Sequence, residues 1–224
     1  MNKNYAGVGS TSKVAIGFTI ALLAVIAGVV AIIALTAPRP APSDSALASS
    51  TVREDSHVLD DAGQGAVTVV EFLDFECEAC GAFYPVVEDL REEFDGQITF
   101  VIRYFPLPGH FNSKNAAVAV EAAARQGQLE AMYQRMFATQ SEWGEQQVSY
   151  APLFREFAAE LGLDLEQYDA DVADPATLER VESDFTDGRA LGVQSTPSFF
   201  INDQLVELTS FEDLRAAIAA ELAR

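Results

Sequence analysis

The chain has 224 residues, 34 acidic and 14 basic, for a net charge of −20. That length holds one membrane segment and one domain with a proper core, and leaves little room for a second catalytic domain. Three acids (Asp44, Glu54, Asp55) and four bases (Lys3, Lys13, Arg39, Arg53) precede His57, so the remainder carries 31 acidic and 10 basic residues. Such a surface repels phosphate backbones and anionic lipid, which excludes nucleic-acid binding. The acidity reads as a solubility feature, with a basic partner as the other reading.

From Val14 to Ala37 the sequence is uncharged and apolar. As a helix it would reach roughly 36 Å at about 1.5 Å per residue, enough to cross a hydrocarbon core of about 30 Å. Ala46-Leu47-Ala48 has the small-x-small form of a signal-peptidase site, but it stands far from the apolar run. That run is also longer than the usual signal-peptide core of about 7–15 residues. The expectation is a retained anchor over 14–37. Lys3, Lys13 and the amino terminus place residues 1–13 in the cytoplasm by the positive-inside bias, and the rest of the chain outside. Residues 38–56, with Pro38, Pro40 and Pro42 followed by Ser and Ala, read as a tether.

The folded domain is expected over 57–224. Ala66–Asp74 is nearly all apolar and rich in β-branched residues, the mark of a central strand covered on both faces. Phe75-Glu76-Cys77-Glu78-Ala79-Cys80 follows, then a helical pattern to Phe94 with Phe83, Val86, Val87 and Leu90 on one face and a kink expected at Pro85. Asp95-Gly96 ends that helix and Ile98–Tyr104 forms a second strand. About 110–191 reads as a helical insertion. Its last helix starts at Asp174-Pro175, an N-cap with proline at the first position, carries Leu178, Val181 and Phe185 on one face, and stops near Gly192. Ser198–Asn202 and Gln204–Leu208 flank Asn202-Asp203 as a short hairpin, and Phe211–Ala223 closes the chain as an amphipathic helix.

Cys77 and Cys80 are the only cysteines. Their spacing lets either sulfur reach the other, and they stand where a strand turns into a helix. Helix N-terminal amides favour the thiolate of the first, so Cys77 is the attacking sulfur; Cys80, one turn deeper, is the resolving thiol. A structural disulfide would close too short a loop to stabilise much. A zinc site would need both His57 and His110, neither at a known spacing from the cysteines. A pair of buried, inert thiols is opposed by the flanking Glu76 and Glu78.

Glu71 interrupts the apolar strand and shares a face with Val69, Leu73 and Phe75. Buried there, it would have a raised pKa and could exchange a proton with Cys80; the competing reading is a strand-edge carboxylate facing water. Thr196-Pro197 precedes the strand SFFIN. A cis bond would bring the Thr196 backbone beside the cysteines, where it could pair with an extended substrate; an ordinary turn is the alternative. His110 reads as a capping or structural residue rather than a catalytic one.

The strand VVEFLDF, the Cys77-Glu78-Ala79-Cys80 pair, Pro85, the helical insertion and GVQSTPSFFIN together resemble the DsbA-like branch of the thioredoxin superfamily over about Ala66 to Ala223. The resemblance implies an α/β thioredoxin fold with an inserted helical subdomain, here preceded by one transmembrane helix. It further implies a cis-proline at Pro197, a buried acid at Glu71 and exported cysteine-containing proteins as substrates. The partner it implies is a quinone-linked membrane oxidase of the DsbB or vitamin-K-epoxide-reductase type. No metal or cofactor is expected. The family usually has Pro-His between its cysteines, whereas Glu78-Ala79 stands here and Glu76 adds a second carboxylate. Nearby carboxylates disfavour a thiolate, so Glu78 is expected to tune the pair toward a milder oxidant. A reductase or isomerase on the same scaffold, or a redox-inactive peptide-binding module using the groove beside Pro197, remains open on sequence alone.

Overall fold

The computed structural model describes residues 50–224. The expected cytoplasmic segment 1–13, the anchor 14–37 and most of the tether lie outside them. No helix among the described residues is long and apolar enough to cross a membrane.

Two strands at the centre organise the fold. β2 (Val67–Leu73) and β3 (Ile98–Tyr104) pair in parallel, Val67 opposite Ile98 through Leu73 opposite Tyr104. Both are buried on both faces, which explains their unbroken apolar character. α1 (Glu78–Glu93) connects them, with Pro85 inside it and Cys80, Val87 and Leu90 buried. β4 (Ser198–Ile201) pairs antiparallel with β2, and β5 (Gln204–Val206) with β4. Asn202 and Asp203 turn the hairpin with φ of 47° and 64°, the left-handed conformation that Asn and Asp tolerate.

One edge was not legible in the sequence. β1 (His57–Asp60) pairs antiparallel with β3, giving the order β1-β3-β2-β4-β5 among the described residues. With four residues and one large apolar side chain left exposed, Val58, it has too little pattern to announce itself. The chain also joins the domain before residue 57. Thr51 is buried, its carbonyl accepts from the Arg103 guanidinium at 2.8 Å, and its hydroxyl donates to the Asp203 carboxylate at 2.5 Å.

The insertion holds α2 (Ser113–Ala124), α3 (Leu129–Ala138), the single turn α4 (Gln140–Trp143), α5 (Ala151–Glu160), α6 (Leu165–Ala173) and α7 (Pro175–Ala190). Asp164 caps α6 through the amides of Glu166 and Gln167, and Asp174 caps α7 through Ala176. Leu178 departs from the expected face. It is 37 % exposed, whereas Val181, Asp184 and Gly188 are buried. The face that α7 turns inward is defined by a polar group, Asp184, which an apolar pattern cannot reveal. Gly188 lets α7 approach the sheet: a Cβ there would lie 2.8 Å from the Phe105 ring and 3.0 Å from Phe72. Gly188→Ala should therefore destabilise the domain by about 1–3 kcal/mol through overpacking, read as a lower urea midpoint at unchanged slope. α8 (Phe211–Leu222) closes the chain, started by a capping box between Ser210 and Asp213.

Candidate active site

β2 ends at Leu73 and α1 begins at Glu78, so the cysteines occupy the junction between the central strand and its helix. Cys77 is the N-cap residue with extended backbone, and its carbonyl accepts the first helical bond from Gly81 at 3.0 Å. Gln140 of α4 fixes the turn from outside, donating to the carbonyls of Phe75 at 2.7 Å and Cys77 at 2.8 Å. Gly81 leaves space for that side chain: a Cβ would sit 2.0 Å from Gln140 Oε1.

Both cysteines are free thiols. Cys77 retains 8 % exposure and Cys80 none. The Cys77 thiol is lowered from 9.0 to about 6, chiefly because the Cys80 thiol hydrogen-bonds its sulfur. The Thr196 side chain and the amides of Ala79 and Cys80 add to this, against the opposing effect of burial. Cys80 is pushed well above the ordinary thiol range by burial, then by Cys77 and Glu71. Its sulfur accepts from the Asp74 amide at 3.5 Å. The two sulfurs thus divide the labour: at neutral pH one is a thiolate and the other holds its proton.

The Thr196–Pro197 bond is cis, and the Thr196 carbonyl lies 3.4 Å from the Cys77 sulfur, accepting from it in the protonated thiol form. The start of α1 and a loop 119 positions away in sequence meet there. Beside Pro197 a groove of about 470 Å³ runs between Phe83, Phe199, Leu205 and Phe211. Leu205 and Phe211 are 47 % and 45 % exposed at its rim.

Glu71 lies in the middle of the sheet, opposite Ile102 on one side and Phe199 on the other, and is 2 % exposed. It is not at a strand edge. Burial, then the charges of Glu88 and Cys77, push its carboxyl up to about 8.

The two other glutamates differ from one another. Glu78 is exposed on the first turn of α1. Glu76, counted in the sequence as a charge beside the cysteines, is 1 % exposed and turned away to accept the Asn112 amide at 2.5 Å. Burial raises its pKa. It gives no argument against buried thiols, and both cysteines are in fact buried.

Sequence reasoning missed Asp74. Its buried carboxylate accepts from the amides of Glu76 at 2.9 Å and Leu107 at 3.0 Å, from the Ser113 hydroxyl at 2.7 Å, and pairs with His110 Nδ1 at 2.7 Å. Asp74 thereby ties the cysteine turn to the loop after β3 and to α2. His110 is structural in this sense, and its pKa is raised by Asp74 against burial, with a smaller contribution from Cys77. His57 is committed to Glu121 at 2.6 Å. Neither histidine joins the cysteines, and no cluster able to hold a metal ion occurs among the described residues.

A family model described as "Thioredoxin" matches residues 62–220. The chain belongs to the thioredoxin family. Within it the fold is the DsbA-like form with a helical insertion. A thioredoxin-like oxidoreductase from Silicibacter pomeroyi DSS-3 superposes with TM-score 0.65 at 29 % identity, covering 82 % of this chain and 99 % of that one. α-DsbA1 from Wolbachia pipientis gives 0.67 at 18 % identity, over 81 % and 96 %. BdbD from Bacillus subtilis gives 0.65 at 21 %, over 75 % and 94 %. Among curated sequences, a Na(+)/H(+) antiporter NhaA 1 of Mycobacterium sp. (strain KMS) is 34 % identical over 166 residues, 73 % of this chain. The match spans only 26 % of the antiporter's length. Membership in the thioredoxin family and the geometry of Cys77 and Cys80 together support thiol-disulfide exchange as the general chemistry.

Proposed function

We propose that the chain is a membrane-tethered, extracytoplasmic oxidase of moderate strength, which transfers the Cys77–Cys80 disulfide to exported proteins. The observation that carries this reading is the asymmetry of the two thiols. A substrate thiolate attacks Cys77, Cys80 leaves and takes up a proton, and the mixed disulfide is resolved by a second substrate thiol. Thr196 and the groove beside Pro197 hold the extended substrate segment, and Glu71 supplies the proton to Cys80. A stabilised Cys77 thiolate favours the reduced form and hence makes the disulfide oxidising. The lowering of the Cys77 thiol by the Cys80 hydrogen bond, without the histidine that usually stands between the cysteines of the DsbA-like branch, supports intermediate strength. Turnover then requires reoxidation, for which a quinone-linked membrane oxidase of the DsbB or vitamin-K-epoxide-reductase type fits the dithiol chemistry. In this reading residues 14–37 supply the anchor and 38–56 the tether.

One labelling experiment tests direction and location together. In intact spheroplasts, a membrane-impermeant maleimide should modify Cys77 only after a mild reductant is added. Labelling without reductant would make the protein a reductase or isomerase, and no labelling in either condition would place the domain inside.

Glu78 tunes the pair only weakly in this reading, because it is exposed and screened by water and salt. Glu78→His removes a negative charge beside the N-terminal turn and should lower the Cys77 pKa by at most about one unit. Thiolate absorbance titration checks this. An unchanged or higher value would remove Glu78 from the tuning of the site.

A further inference from the structure

A depression of about 370 Å³ lies against the cysteine turn and shares no residue with the groove beside Pro197. The turn and the start of α1 contribute Glu76, Glu78 and Gly81 to it, and α4 with the loop after it contributes Gln140, Ser141 and Glu145. Gln140 joins it to the reacting residues, since its amide holds the Cys77 carbonyl at 2.8 Å. Two glycines keep it open. A Cβ on Gly81 would meet Gln140 Oε1 at 2.0 Å, and one on Gly144 would meet the Gln140 carbonyl oxygen at 2.9 Å, so the wall at both positions is bare backbone.

Three carboxylates line this depression with no lysine or arginine among them. Glu78 and Glu145 are exposed at the rim, and Glu76 is buried beneath them. None of the ion pairs made by the described lysines and arginines involves any of the three. The basic contact they do have is His110, whose Nε2 stands 3.7 Å from Glu145 while its Nδ1 is bound to Asp74. Glu76 supplies a second, independent sign. Its Oε2 accepts the Asn112 amide, but its buried Oε1 has no hydrogen-bond partner among the described residues. Native proteins leave few polar atoms in that condition, and this one belongs to a side chain that lines a concavity. The carboxylates do not converge tightly enough to ligate a metal ion. They suit a cation that spreads its charge and its donors over a plane, which is a guanidinium.

We propose that this depression is a subsite for an arginine side chain close in sequence to the substrate cysteine, so that the protein prefers thiols with a basic neighbour. The proposal rests on the reading of Cys77 as the sulfur that protein thiols attack. A substrate cysteine placed at Cys77 has its next side chain of the same face about 7 Å along an extended strand, and an arginine there extends past the turn into the depression. Its guanidinium has N–H donors enough to bridge Glu78 and Glu145 at the rim and to reach toward Glu76 Oε1 below. The acidic surface of the domain attracts such a segment from a distance, and the subsite fixes its register.

Peptide dithiols test the subsite. Unstructured peptides with two cysteines carry arginine, or its neutral isostere citrulline, two residues before or two residues after the first cysteine. Mixed with the oxidised full-length protein, each peptide dithiol becomes a disulfide as the Cys77–Cys80 bond is reduced to two thiols, and the loss of that bond is followed by acid quench and alkylation. In at least one register the arginine peptide should react about threefold to tenfold faster than its citrulline twin at low salt, with the ratio shrinking as salt is raised. In the double variant Glu78→Gln with Glu145→Gln the ratio should fall below about twofold. Ser141→Arg, which puts a cation of the protein's own at the rim, should suppress it likewise. Glu156→Gln with Glu179→Gln removes the same charge from exposed positions on α5 and α7 and should keep the parent ratio. Each ratio is taken within one variant, so any change in Cys77 reactivity on losing Glu78 cancels. Citrulline peptides that leave the Cys77–Cys80 bond intact would overturn the reading of Cys77 itself. Equal rates for arginine and citrulline in the parent, or a ratio that falls as far in the remote double variant as in the rim one, would overturn the subsite.

Discussion

Cys80→Ala should accumulate mixed disulfides between Cys77 and cysteine-containing proteins, while Cys77→Ala should accumulate none; both should lose essentially all turnover. Without Cys80 nothing inside the protein can resolve the complex, so it persists until an external thiol intervenes. Without Cys77 the remaining sulfur has no exposure and a thiol raised well above its ordinary range, so it neither reaches substrate nor ionises at neutral pH. The sign of the pH dependence follows from the attacking sulfur. Complex formation by Cys80→Ala should rise with pH, with a midpoint above the parent's value of about 6, because the Cys80 thiol that most stabilises the thiolate is gone. Non-reducing gels after acid quench read the result. Equal trapping by the two variants would assign the attacking role wrongly.

The largest effect on stability should come from Asp184→Ala. Arg103 and Asp184 form an ion pair with both side chains fully buried. Asp184 also accepts the Tyr104 amide at 3.1 Å and lies 2.7 Å from Arg180. Arg103 in turn reaches the Thr51 carbonyl at 2.8 Å and Asp187 at 2.7 Å, and its guanidinium stands 5.3 Å from the centre of the Phe72 ring. Removing Asp184 leaves a buried guanidinium and a buried amide short of their partners, at a cost of about 3–5 kcal/mol. Arg103→Met combined with Asp184→Leu should cost less than Asp184→Ala alone, since no charge is then stranded. Urea unfolding of the three proteins decides it. A loss below about 1 kcal/mol for Asp184→Ala would mean that Arg180 and Asp187 rearrange to cover the site.

What the sequence revealed and what it concealed divide along the range of the contacts. β2, β3, the hairpin and the cysteine helix were legible because each writes its environment into a local pattern: apolar runs for buried strands, Asn202-Asp203 for the turn, three-to-four spacing for α1. Glu71 was legible for the complementary reason, as one charge in an apolar run. The support around the cysteines was not. Asp74 looks like an ordinary strand-end aspartate, yet it binds residues 33, 36 and 39 positions away. Gln140 reaches back 65 and 63 positions to hold Phe75 and Cys77. Glu76 was misjudged because its neighbour in sequence is Cys77 while its partner in space is the Asn112 amide. In α7, the inward face is set by a salt bridge, so an apolar count assigned Leu178 to the wrong side.

If Cys77 and Cys80 exchange a disulfide with protein thiols, the redox states of both partners must change together in one tube. The oxidised full-length protein is mixed with a reduced, unfolded protein carrying two cysteines, quenched with acid over time and alkylated. The Cys77–Cys80 disulfide should disappear at the rate at which a disulfide appears in the substrate, with a transient mixed disulfide at Cys77. Oxidation of the substrate at the uncatalysed rate, with the Cys77–Cys80 bond intact throughout, would contradict it.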